Sequence, residues 1–292
     1  MRTATATVAE LLRDAIARLV DALDLEPRSA RIEARALASH AWRVEPAWLI
    51  AHDTDVLTPD RAAAFDALLV RRLAGEPIAY LTGAREFYGR RYAVGPAVLI
   101  PRPETELLVE VALEHLPAAE PRDVLDLGTG SGCVAITIAL ERPLANVTAV
   151  DRAADALALA AANAGALGAP VRFVQSDWFA ALGEARYDLI VGNPPYIAAR
   201  DPHLARGDLR FEPASALASG ADGFDDLRCI IRTAPSHLRP GGWLWLEHGF
   251  EQESGTRALL DAAGFCYVQT RKDAAGLPRI SGGQPSENFT PR

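Results

Sequence analysis

The residues best suited to chemistry are Asn193-Pro194-Pro195-Tyr196, which closely follow a short apolar run of the sequence. The run at 189–191 is rich in branched side chains and predicts a buried strand, whose ladder the two prolines cannot continue. Each proline has a fixed φ and lacks an N–H donor, so the four residues predict a stiff elbow at a strand's carboxyl end. The elbow offers an amide side chain and backbone carbonyls to a ligand, with the ring of Tyr196 beside them.

An elbow of this composition predicts recognition of a planar NH2 group. The group can donate one hydrogen to the side-chain oxygen of Asn193 and the other to a proline carbonyl, while Tyr196 stacks on its flat face. The nitrogen is then held with its lone pair towards an electrophile. A Pro-rich turn without chemistry is the alternative for Pro-Pro alone. The position of the elbow downstream of a glycine-rich loop favours a functional site.

The glycine-rich loop is Gly128-Thr129-Gly130-Ser131-Gly132, which follows an earlier predicted strand. Its glycines alternate, unlike those of the G-x-G-x-x-G dinucleotide fingerprint. Alternate glycines permit tight turns and a close approach of the backbone to a ligand. A tight turn without a ligand is the alternative for this loop taken alone.

Acidic and aromatic residues at three strand ends indicate which ligand the loop holds. Asp126 precedes the first glycine by two residues, where a negative charge suits a cation better than a pyrophosphate. Asp151 ends the next strand and can bind ribose hydroxyls. At the third strand end, Asp177 can accept a hydrogen bond from an adenine amino group and Trp178 can stack on the ring. S-adenosylmethionine, which carries an ammonium and a sulfonium, is therefore the predicted cofactor.

Strand–helix alternation from residue 123 onwards predicts the scaffold that positions these residues. The predicted strands lie at 124–127, 147–150, 171–174, 189–191 and 243–246, the helices at 134–140, 153–167 and 225–238, and a closing antiparallel pair at 265–270 and 277–281. This pattern predicts an α/β fold with a Rossmann-like, doubly wound parallel sheet and a site at the strands' carboxyl ends. Residues 199–224 lack periodicity and predict an active-site loop.

Helical periodicity over residues 5–75 predicts a small N-terminal helical bundle. Ser29 is the expected cap of its second helix, and Pro59 stands at a tolerated first-turn position of a later helix. The bundle contains no catalytic pattern, so it is either a stability module or a docking surface for a partner. We expect three regions, which are a helical domain at 1–84, a β-hairpin or linker at 85–100 and a cofactor-binding domain at 101–292.

Composition excludes several functional classes. The chain has 292 residues, 49% of them hydrophobic, and a formal charge of −8, which predicts a sizeable core and disfavours a broad phosphate-binding face. No apolar run is long enough for a membrane span, and residues 1–20 lack a signal-peptide pattern. Cys133, Cys229 and Cys266 are widely spaced, which predicts inert thiols in a reducing cytoplasm and no metal site.

These motifs resemble those of a known family. The loop with its preceding Asp126, combined with the elbow, looks like that of class I S-adenosylmethionine-dependent methyltransferases acting on NH2 groups. The Asn-Pro-Pro-Tyr type is shared with adenine-N6 methyltransferases, so it indicates the chemistry and not the substrate. More specific are Ile100-Pro-Arg-Pro-Glu-Thr-Glu106, Arg210-Phe-Glu-Pro213 and Leu246-Glu-His-Gly249. With the helical N-terminal region, these motifs resemble the HemK/PrmC family, the release factor glutamine methyltransferases, over nearly the whole chain.

The resemblance implies N5-methylation of the glutamine in the Gly-Gly-Gln loop of bacterial peptide chain release factors, with the helical domain docking the substrate. By position, it places Gly128, Thr129, Gly130, Ser131, Gly132, Asp151, Trp178 and Asn193 on S-adenosylmethionine. It places Asn193, Pro194, Pro195 and Tyr196 on the substrate glutamine, with Asn193, Pro194 and Tyr196 as the catalytic residues. We expect a cytoplasmic monomer without a membrane or direct nucleic-acid partner.

An amide nitrogen is a poor nucleophile because its lone pair is delocalised, so we expect in-line transfer that depends mainly on orientation. No residue is assigned as proton acceptor, and Glu247 and His248 are expected to be structural. Two alternatives remain: an adenine-N6 nucleic-acid methyltransferase, disfavoured by the acidic charge, and a non-catalytic binding module, disfavoured by the complete loop and elbow. Gly282-Gly283-Gln284 repeats the expected target tripeptide, and coincidence is the expected explanation.

Overall fold

The computed structural model describes residues 6–286 of the chain, which forms two compact units, Met1–Ala84 and Arg85–Arg292. The helices in the described part of the first unit are, in chain order, α1 (Val8–Leu23), α2 (Pro27–Trp42), α3 (Pro46–Ala51), α4 (Pro59–Leu73) and α5 (Ile78–Thr82). Leu19, Leu37, Phe65 and Leu69 are buried in the core that α1, α2 and α4 share. The helical periodicity of the sequence therefore corresponds to a packed bundle.

The helix starts in this bundle follow local chemistry. Helix α1 begins with a capping box, in which Thr7 Oγ1 accepts from the N–H of Glu10 and the Glu10 carboxylate accepts from the N–H of Thr7. The prediction that Ser29 caps α2 is wrong, because the helix begins two residues earlier, at Pro27. Proline is favoured there because its missing N–H would have no partner in the first turn.

A two-stranded hairpin, β1 (Ala84–Phe87) and β2 (Arg90–Ala93), opens the second unit. Tyr88 and Gly89 form its turn with positive φ at both positions, as a two-residue hairpin turn favours. The hairpin is anchored by Tyr92, which is fully buried and whose hydroxyl shares a hydrogen bond of 2.8 Å with Thr137 Oγ1. Residues 78–82, which lie just beyond the helical periodicity predicted over 5–75, form helix α5.

The rest of the second unit is an alternating α/β arrangement. Its elements are α6 (Glu106–His115), β3 (Asp123–Leu127), α7 (Cys133–Glu141), β4 (Asn146–Asp151), α8 (Ala154–Leu167), β5 (Val171–Gln175), β6 (Tyr187–Gly192), α9 (Ala214–Leu217), α10 (Asp225–Thr233), β7 (Leu238–Glu247), α11 (Glu253–Ala262), β8 (Phe265–Lys272) and β9 (Pro278–Pro285). The strand order is β5-β4-β3-β6-β7-β9-β8, with β3 to β7 parallel and β9 antiparallel to both neighbours. The predicted doubly wound sheet is confirmed.

Both faces of the sheet are buried, because successive side chains of a strand point to opposite faces. In β3, Val124 packs in the core that includes helices α6 and α7, whereas Leu125 and Leu127 pack in the core that includes α10 and α11. The same alternation explains why the central strands appear in the sequence as continuous apolar runs. Among the helices described between residues 6 and 286, none is long and apolar enough to cross a membrane.

The strand register determines which residues meet at the carboxyl edge. The chain passes from β3 to β4 on one side and returns to β6 on the other, so strand order reverses beside β3. Leu127 pairs with Gly192 of β6 and with Val150 of β4. The loop that begins at Gly128 therefore emerges between Asn193 on one side and Asp151 on the other. A crevice at such a switch point is the usual ligand site of doubly wound sheets.

Three elements near the carboxyl terminus differ from expectation. The α-helix expected over 225–238 ends at Thr233 and continues as a 3-10 turn, since Pro235 cannot donate an intrahelical hydrogen bond. Strand β7 begins at Leu238 and passes through Pro240-Gly241-Gly242, with an irregular register opposite β6. Strand β9 extends beyond residue 281 to Pro285, so it includes the Gly-Gly-Gln tripeptide.

Candidate active site

A pocket with about 1000 Å³ of empty space, part of it open solvent, lies at the carboxyl edge of the sheet. Its walls combine the glycine-rich loop, the ends of β4, β5 and β6, and two segments that flank them, at 97–105 and 213–216. The predicted residues that border it are Asp126, Gly128, Thr129, Gly130, Ser131, Asp151, Asp177, Trp178, Asn193 and Pro195. Gly132, Pro194 and Tyr196 do not border it.

The loop between β3 and α7 turns tightly enough to form the floor of this pocket. Its three alternate glycines all have positive φ, of 71°, 53° and 82° in chain order. At Gly132 a Cβ would lie 2.8 Å from Ile136 Cδ1, so any side chain there would collide with the helix that the loop begins. Gly132 thus allows α7 to start beside the pocket without bordering it. The alternating pattern in the sequence therefore reflects backbone conformation at every second position.

Asp126 lies beneath the loop and is almost fully buried. Its Oδ2 accepts a hydrogen bond of 2.6 Å from Thr129 Oγ1. Burial raises the pKa of the Asp126 carboxyl to about 6, and the hydrogen bond from Thr129 offsets only part of that increase. A buried acid that borders a pocket is stabilised in its charged form by a bound cation. The site is therefore suited to a ligand that carries positive charge.

Asp151 connects the end of β4 to the loop. Its Oδ2 accepts from the N–H of Gly130 at 2.9 Å, and its Oδ1 accepts from the N–H of Ala153 at 2.9 Å. A carboxylate oxygen has two lone pairs, so each oxygen can accept a further hydrogen bond from a ligand hydroxyl. Asp151 thus fixes the loop and presents free acceptor capacity to the pocket.

Trp178 forms part of the wall beyond β5. Its backbone has the positive φ of 48°, and its Nε1 donates to Asp226 Oδ1 at 3.2 Å. The indole lies over Gly128, where a Cβ would approach Trp178 Cζ3 to 3.3 Å. The indole is therefore held at the pocket wall by a hydrogen bond and by close packing. A flat apolar surface of this kind suits an aromatic ligand group.

Asn193 presents its amide with a defined orientation. Its Nδ2 donates to Thr105 Oγ1 at 3.3 Å, and no described residue donates a hydrogen bond to its Oδ1. Thr105 is almost fully buried and also borders the pocket. The amide nitrogen is thereby used within the protein, whereas the amide oxygen remains an acceptor. An NH2 group of a ligand is the matching donor.

The chain beyond the elbow is held by backbone pairing and by one glutamine. Ile197 N–H donates to Leu217 O at 3.0 Å, which continues the chain alongside the segment before α10. The side-chain Nε2 of Gln252 donates to both the carbonyl of Tyr196 and that of Gly223, at 3.1 and 3.2 Å. The predicted stiffness of the elbow thus depends on tertiary contacts as well as on its prolines.

Two of the three sequence motifs that carried the resemblance border this pocket, and the third contacts the first motif and the elbow. Glu212 is buried, and its Oε2 accepts from the N–H of Ile100 at 2.9 Å while its Oε1 pairs with Arg102. From the third motif, Glu247 lies beside Thr105 of the first motif and Tyr196 of the elbow. Segments that are distant in the sequence therefore contact one another beside the pocket.

Glu247 is almost fully buried at the end of β7. The Tyr196 hydroxyl donates to its Oε1 at 3.5 Å, and its Oε2 has no hydrogen-bond partner among the described residues. Burial raises the pKa of the Glu247 carboxyl to about 7, and the neighbouring Thr105 hydroxyl and Arg279 charge partly oppose the increase. Burial likewise raises the pKa of Tyr196, and the neighbouring Glu247 charge adds to the effect.

Sequence reasoning did not identify Thr105, Glu212 or Asp226 as parts of the site. Thr105 and Glu212 were visible only as members of motifs that resemble a family, without a stated role. Asp226 stands in the first turn of α10, where an acid usually indicates helix stabilisation. His248, by contrast, is structural as expected, since its Nδ1 donates to Gly249 O and its Nε2 accepts from Ser281 Oγ, both at 2.8 Å.

Two family models match the chain. A model described as the methyltransferase small domain matches residues 105–222, and a model described as the PrmC N-terminal domain matches residues 10–83. A release factor glutamine methyltransferase of Bordetella pertussis is 55% identical over 88% of this chain and 96% of its own length. One of Burkholderia pseudomallei is 50% identical over 96% of both chains.

Solved structures show similarity of fold. A Thermus thermophilus 16S rRNA methyltransferase, determined in complex with AdoMet and guanosine, aligns with a TM-score of 0.51 at 24% identity. The alignment covers 70% of this chain and 50% of that one. At this level of identity the comparison supports the sheet architecture alone.

Proposed function

Because this chain belongs to the release factor glutamine methyltransferase family, we propose that it methylates the side-chain amide nitrogen of the glutamine in the Gly-Gly-Gln motif of release factors. The observation that carries the proposal is the orientation of Asn193. Its amide nitrogen is bound by Thr105, and its oxygen remains available at the border of the pocket, one strand away from the glycine-rich loop. This geometry matches a carboxamide donor.

S-adenosylmethionine is the cofactor, and when bound it supplies a methyl group on a positively charged sulfur. The pocket fits it, because Asp126 is a buried acid that needs a cation and Trp178 presents a flat face. We assign Gly128, Thr129, Gly130, Ser131, Asp151, Trp178 and Asn193 to its binding. Gly132 contributes by allowing the turn into α7.

Asn193 holds the substrate amide by accepting one N–H at Oδ1, and the carbonyl of Pro194 is assigned to the second N–H. This double acceptance favours a pyramidal nitrogen, whose lone pair is less delocalised and therefore more nucleophilic. The nitrogen gains a methyl group and loses one proton in the reaction. Pro195 borders the pocket, and we assign it to the path by which the substrate glutamine reaches Asn193. Tyr196 is assigned to pack against the amide plane of that glutamine.

We assign the docking of the release factor to the helical unit, Met1–Ala84, which the PrmC N-terminal domain model matches over residues 10–83. Because the proposed substrate serves translation, we also propose that the reaction takes place in the cytoplasm. The relatives support this substrate and not the adenine-N6 alternative. A monomeric state and the absence of a nucleic-acid partner stay predictions.

Incubation with purified release factor and S-adenosylmethionine, followed by peptide mass mapping, tests the proposed function. We expect one added methyl group on the peptide that contains Gly-Gly-Gln, and none on a release factor whose target glutamine is replaced by alanine. Transfer of labelled methyl groups into nucleic acid, without transfer into release factor, would contradict the proposal.

Cofactor affinity is expected to fall in acid. Burial raises the pKa of Asp126 to about 6, so below this pH the free protein protonates the carboxyl and loses the negative charge that a cation needs. The dissociation constant of S-adenosylmethionine should therefore rise by roughly tenfold per pH unit below pH 6 and be flat just above it. Calorimetry at several pH values measures this slope. Asp126→Asn should bind weakly with no such slope, whereas a flat wild-type profile would contradict the role of Asp126.

The protein's own Gly-Gly-Gln sequence is not expected to be a substrate. Gly282 and Gly283 are buried in β9, between β7 and β8, and Gln284 Nε2 donates to Gly241 O at 2.7 Å. A strand paired on both sides cannot enter the pocket without breaking the sheet. The intact mass should stay unchanged after incubation with cofactor alone, and an added methyl group on Gln284 would refute this expectation.

A further inference from the structure

Two segments that border the cofactor pocket, at 97–102 and 213–216, belong to no strand of the sheet. The backbone hydrogen bonds that fix the ends of β3, β4 and β6 therefore do not fix these segments. A segment outside the sheet keeps one position only where other groups of the protein bind it. The contacts between the two segments accordingly decide whether this part of the pocket wall is formed before a ligand enters.

Glu212 links the two segments. Its side chain is fully buried. Its Oε2 accepts from the backbone N–H of Ile100 at 2.9 Å, and its Oε1 accepts from the Arg102 guanidinium. A buried carboxylate is stable only when it is paired and hydrogen-bonded, and charge-assisted hydrogen bonds are the stronger kind. From its position next to Pro213, this one carboxylate thus binds both the backbone and a side chain of the first segment.

Both segments also lead to the elbow. The first continues to Thr105, whose Oγ1 accepts from Asn193 Nδ2 at 3.3 Å. The second continues to Leu217, whose carbonyl accepts from the N–H of Ile197 at 3.0 Å. These contacts, together with the chain that connects them, form a closed ring at the border of the pocket. Glu212 joins this ring between residues 102 and 212.

We infer that Glu212 is a positioning residue of the cofactor site, which acts through Ile100 and Arg102 to keep the pocket wall in place for S-adenosylmethionine. Glu212 does not border the pocket, so it acts without contact to the cofactor. A wall that is in place before binding does not have to be ordered by the cofactor. If the wall were in place only about a tenth of the time, the dissociation constant would be about ten times higher. The inference goes beyond the proposed function, since it concerns the cofactor and not the methyl acceptor.

Calorimetric titration of S-adenosylmethionine into Glu212 variants tests this inference. Glu212→Ala removes both contacts and should raise the dissociation constant by about tenfold or more, as expected for lost hydrogen bonds to a charged group. Glu212→Gln retains the shape and one acceptor oxygen but loses the charge that Arg102 binds, so we expect an increase of about fivefold. It also covers a Glu212→Ala protein that does not fold. A dissociation constant within about twofold of wild type in either folded variant would overturn the inference.

Hydrogen exchange measured by mass spectrometry gives a readout that needs no cofactor. The amide hydrogens of residues 97–102 and 213–216 should exchange faster in both Glu212 variants than in the wild type, because loss of the link lets the two segments open locally. Exchange in strands β3 and β4 should be unchanged. Wild-type exchange rates in the two segments of the variants would overturn the inference.

Asp188 provides a matched control at the opposite edge of the sheet. Its Oδ2 accepts from the backbone N–H of Asp123 at 2.8 Å and from Arg239 Nη1 at 2.7 Å, so it also joins one backbone group and one arginine. Asp188→Ala should lower the melting temperature but leave the dissociation constant of S-adenosylmethionine within about twofold of wild type. An increase equal to that of Glu212→Ala would indicate general destabilisation and would overturn the inference.

The outcomes separate this inference from the proposed function. Calorimetry requires no release factor, so a wild-type protein that binds S-adenosylmethionine without methylating release factor would overturn only the proposed function. Methylation of release factor by the wild-type protein, together with unchanged cofactor affinity in the Glu212 variants, would overturn only the role of Glu212.

Discussion

Asn193→Ala should reduce methylation of release factor by about a thousandfold in kcat while leaving the affinity for S-adenosylmethionine within about threefold of wild type. Alanine removes the side-chain oxygen that accepts the substrate N–H, and the amide then has one fixed acceptor instead of two. The loss corresponds to about 4 kcal/mol of transition-state stabilisation. Cofactor binding is retained because the loop, Asp126 and Asp151 remain in place.

Single-turnover kinetics with saturating release factor, combined with calorimetry for the cofactor, separate the two effects of Asn193→Ala. Asn146→Ala is the matched control. Asn146 begins β4 at the opposite edge of the sheet, where its Nδ2 donates to Asp123 Oδ1 at 2.9 Å. The control should turn over at the wild-type rate. If Asn193→Ala also turned over at that rate, the elbow would have no part in catalysis.

Gly282→Ala should destabilise the second unit by about 3 kcal/mol or more, although the change adds one methyl group. A Cβ at this position would lie 2.2 Å from the backbone oxygen of Leu244 and 2.5 Å from Trp245 Cδ2. Both atoms belong to β7, which pairs with β9, so the backbone of a central strand would have to move. A loss of this size lowers the melting temperature by roughly 10 °C for a domain of about two hundred residues.

Thermal unfolding followed by circular dichroism measures the effect of Gly282→Ala. Gly165→Ala is the control, since Gly165 is an exposed residue of α8 and a methyl group there would meet no neighbouring atom within 4 Å beyond the backbone of its own helix. Alanine should stabilise that helix by up to about 1 kcal/mol. Equal melting temperatures for the two variants would show that β9 is not packed against β7 as described.

Most of the scaffold could be predicted because its signals are local. Apolar runs bounded by turn residues indicated the strands, and strand–helix alternation indicated a parallel, doubly wound sheet. The glycine-rich loop and the elbow could be recognised because glycine and proline restrict the backbone in characteristic ways. Their proximity could be predicted as well, since both follow strands of one parallel sheet.

The remaining parts of the site depend on contacts between distant segments. Thr105 and Asn193 are 88 residues apart, and Glu212 and Ile100 are 112 apart, so no local pattern indicates either contact. The raised pKa of Glu247 arises from burial, which only the folded chain determines. Sequence order placed this residue near the site but could not show that its carboxyl accepts from the Tyr196 hydroxyl.

The strand that contains the Gly-Gly-Gln tripeptide could not be predicted in full, because local composition argued against a strand there. Glycine is unfavourable in strands, so Gly282 and Gly283 gave no sign that the closing strand continues through them. The structure shows why glycine is required at position 282, because a side chain there would collide with β7. Close approach of two strands is a property of the packed sheet and has no signature in the composition of one strand.

The central claim is that the elbow binds the substrate carboxamide through Asn193 Oδ1. The structure of a complex with S-adenosylhomocysteine and a peptide containing Gly-Gly-Gln tests this claim most directly. We expect the glutamine amide nitrogen at hydrogen-bond distance, about 2.9 Å, from Asn193 Oδ1, with the nitrogen directed at the sulfur of the cofactor product. A glutamine side chain bound elsewhere, with Asn193 Oδ1 directed away from it, would contradict this account.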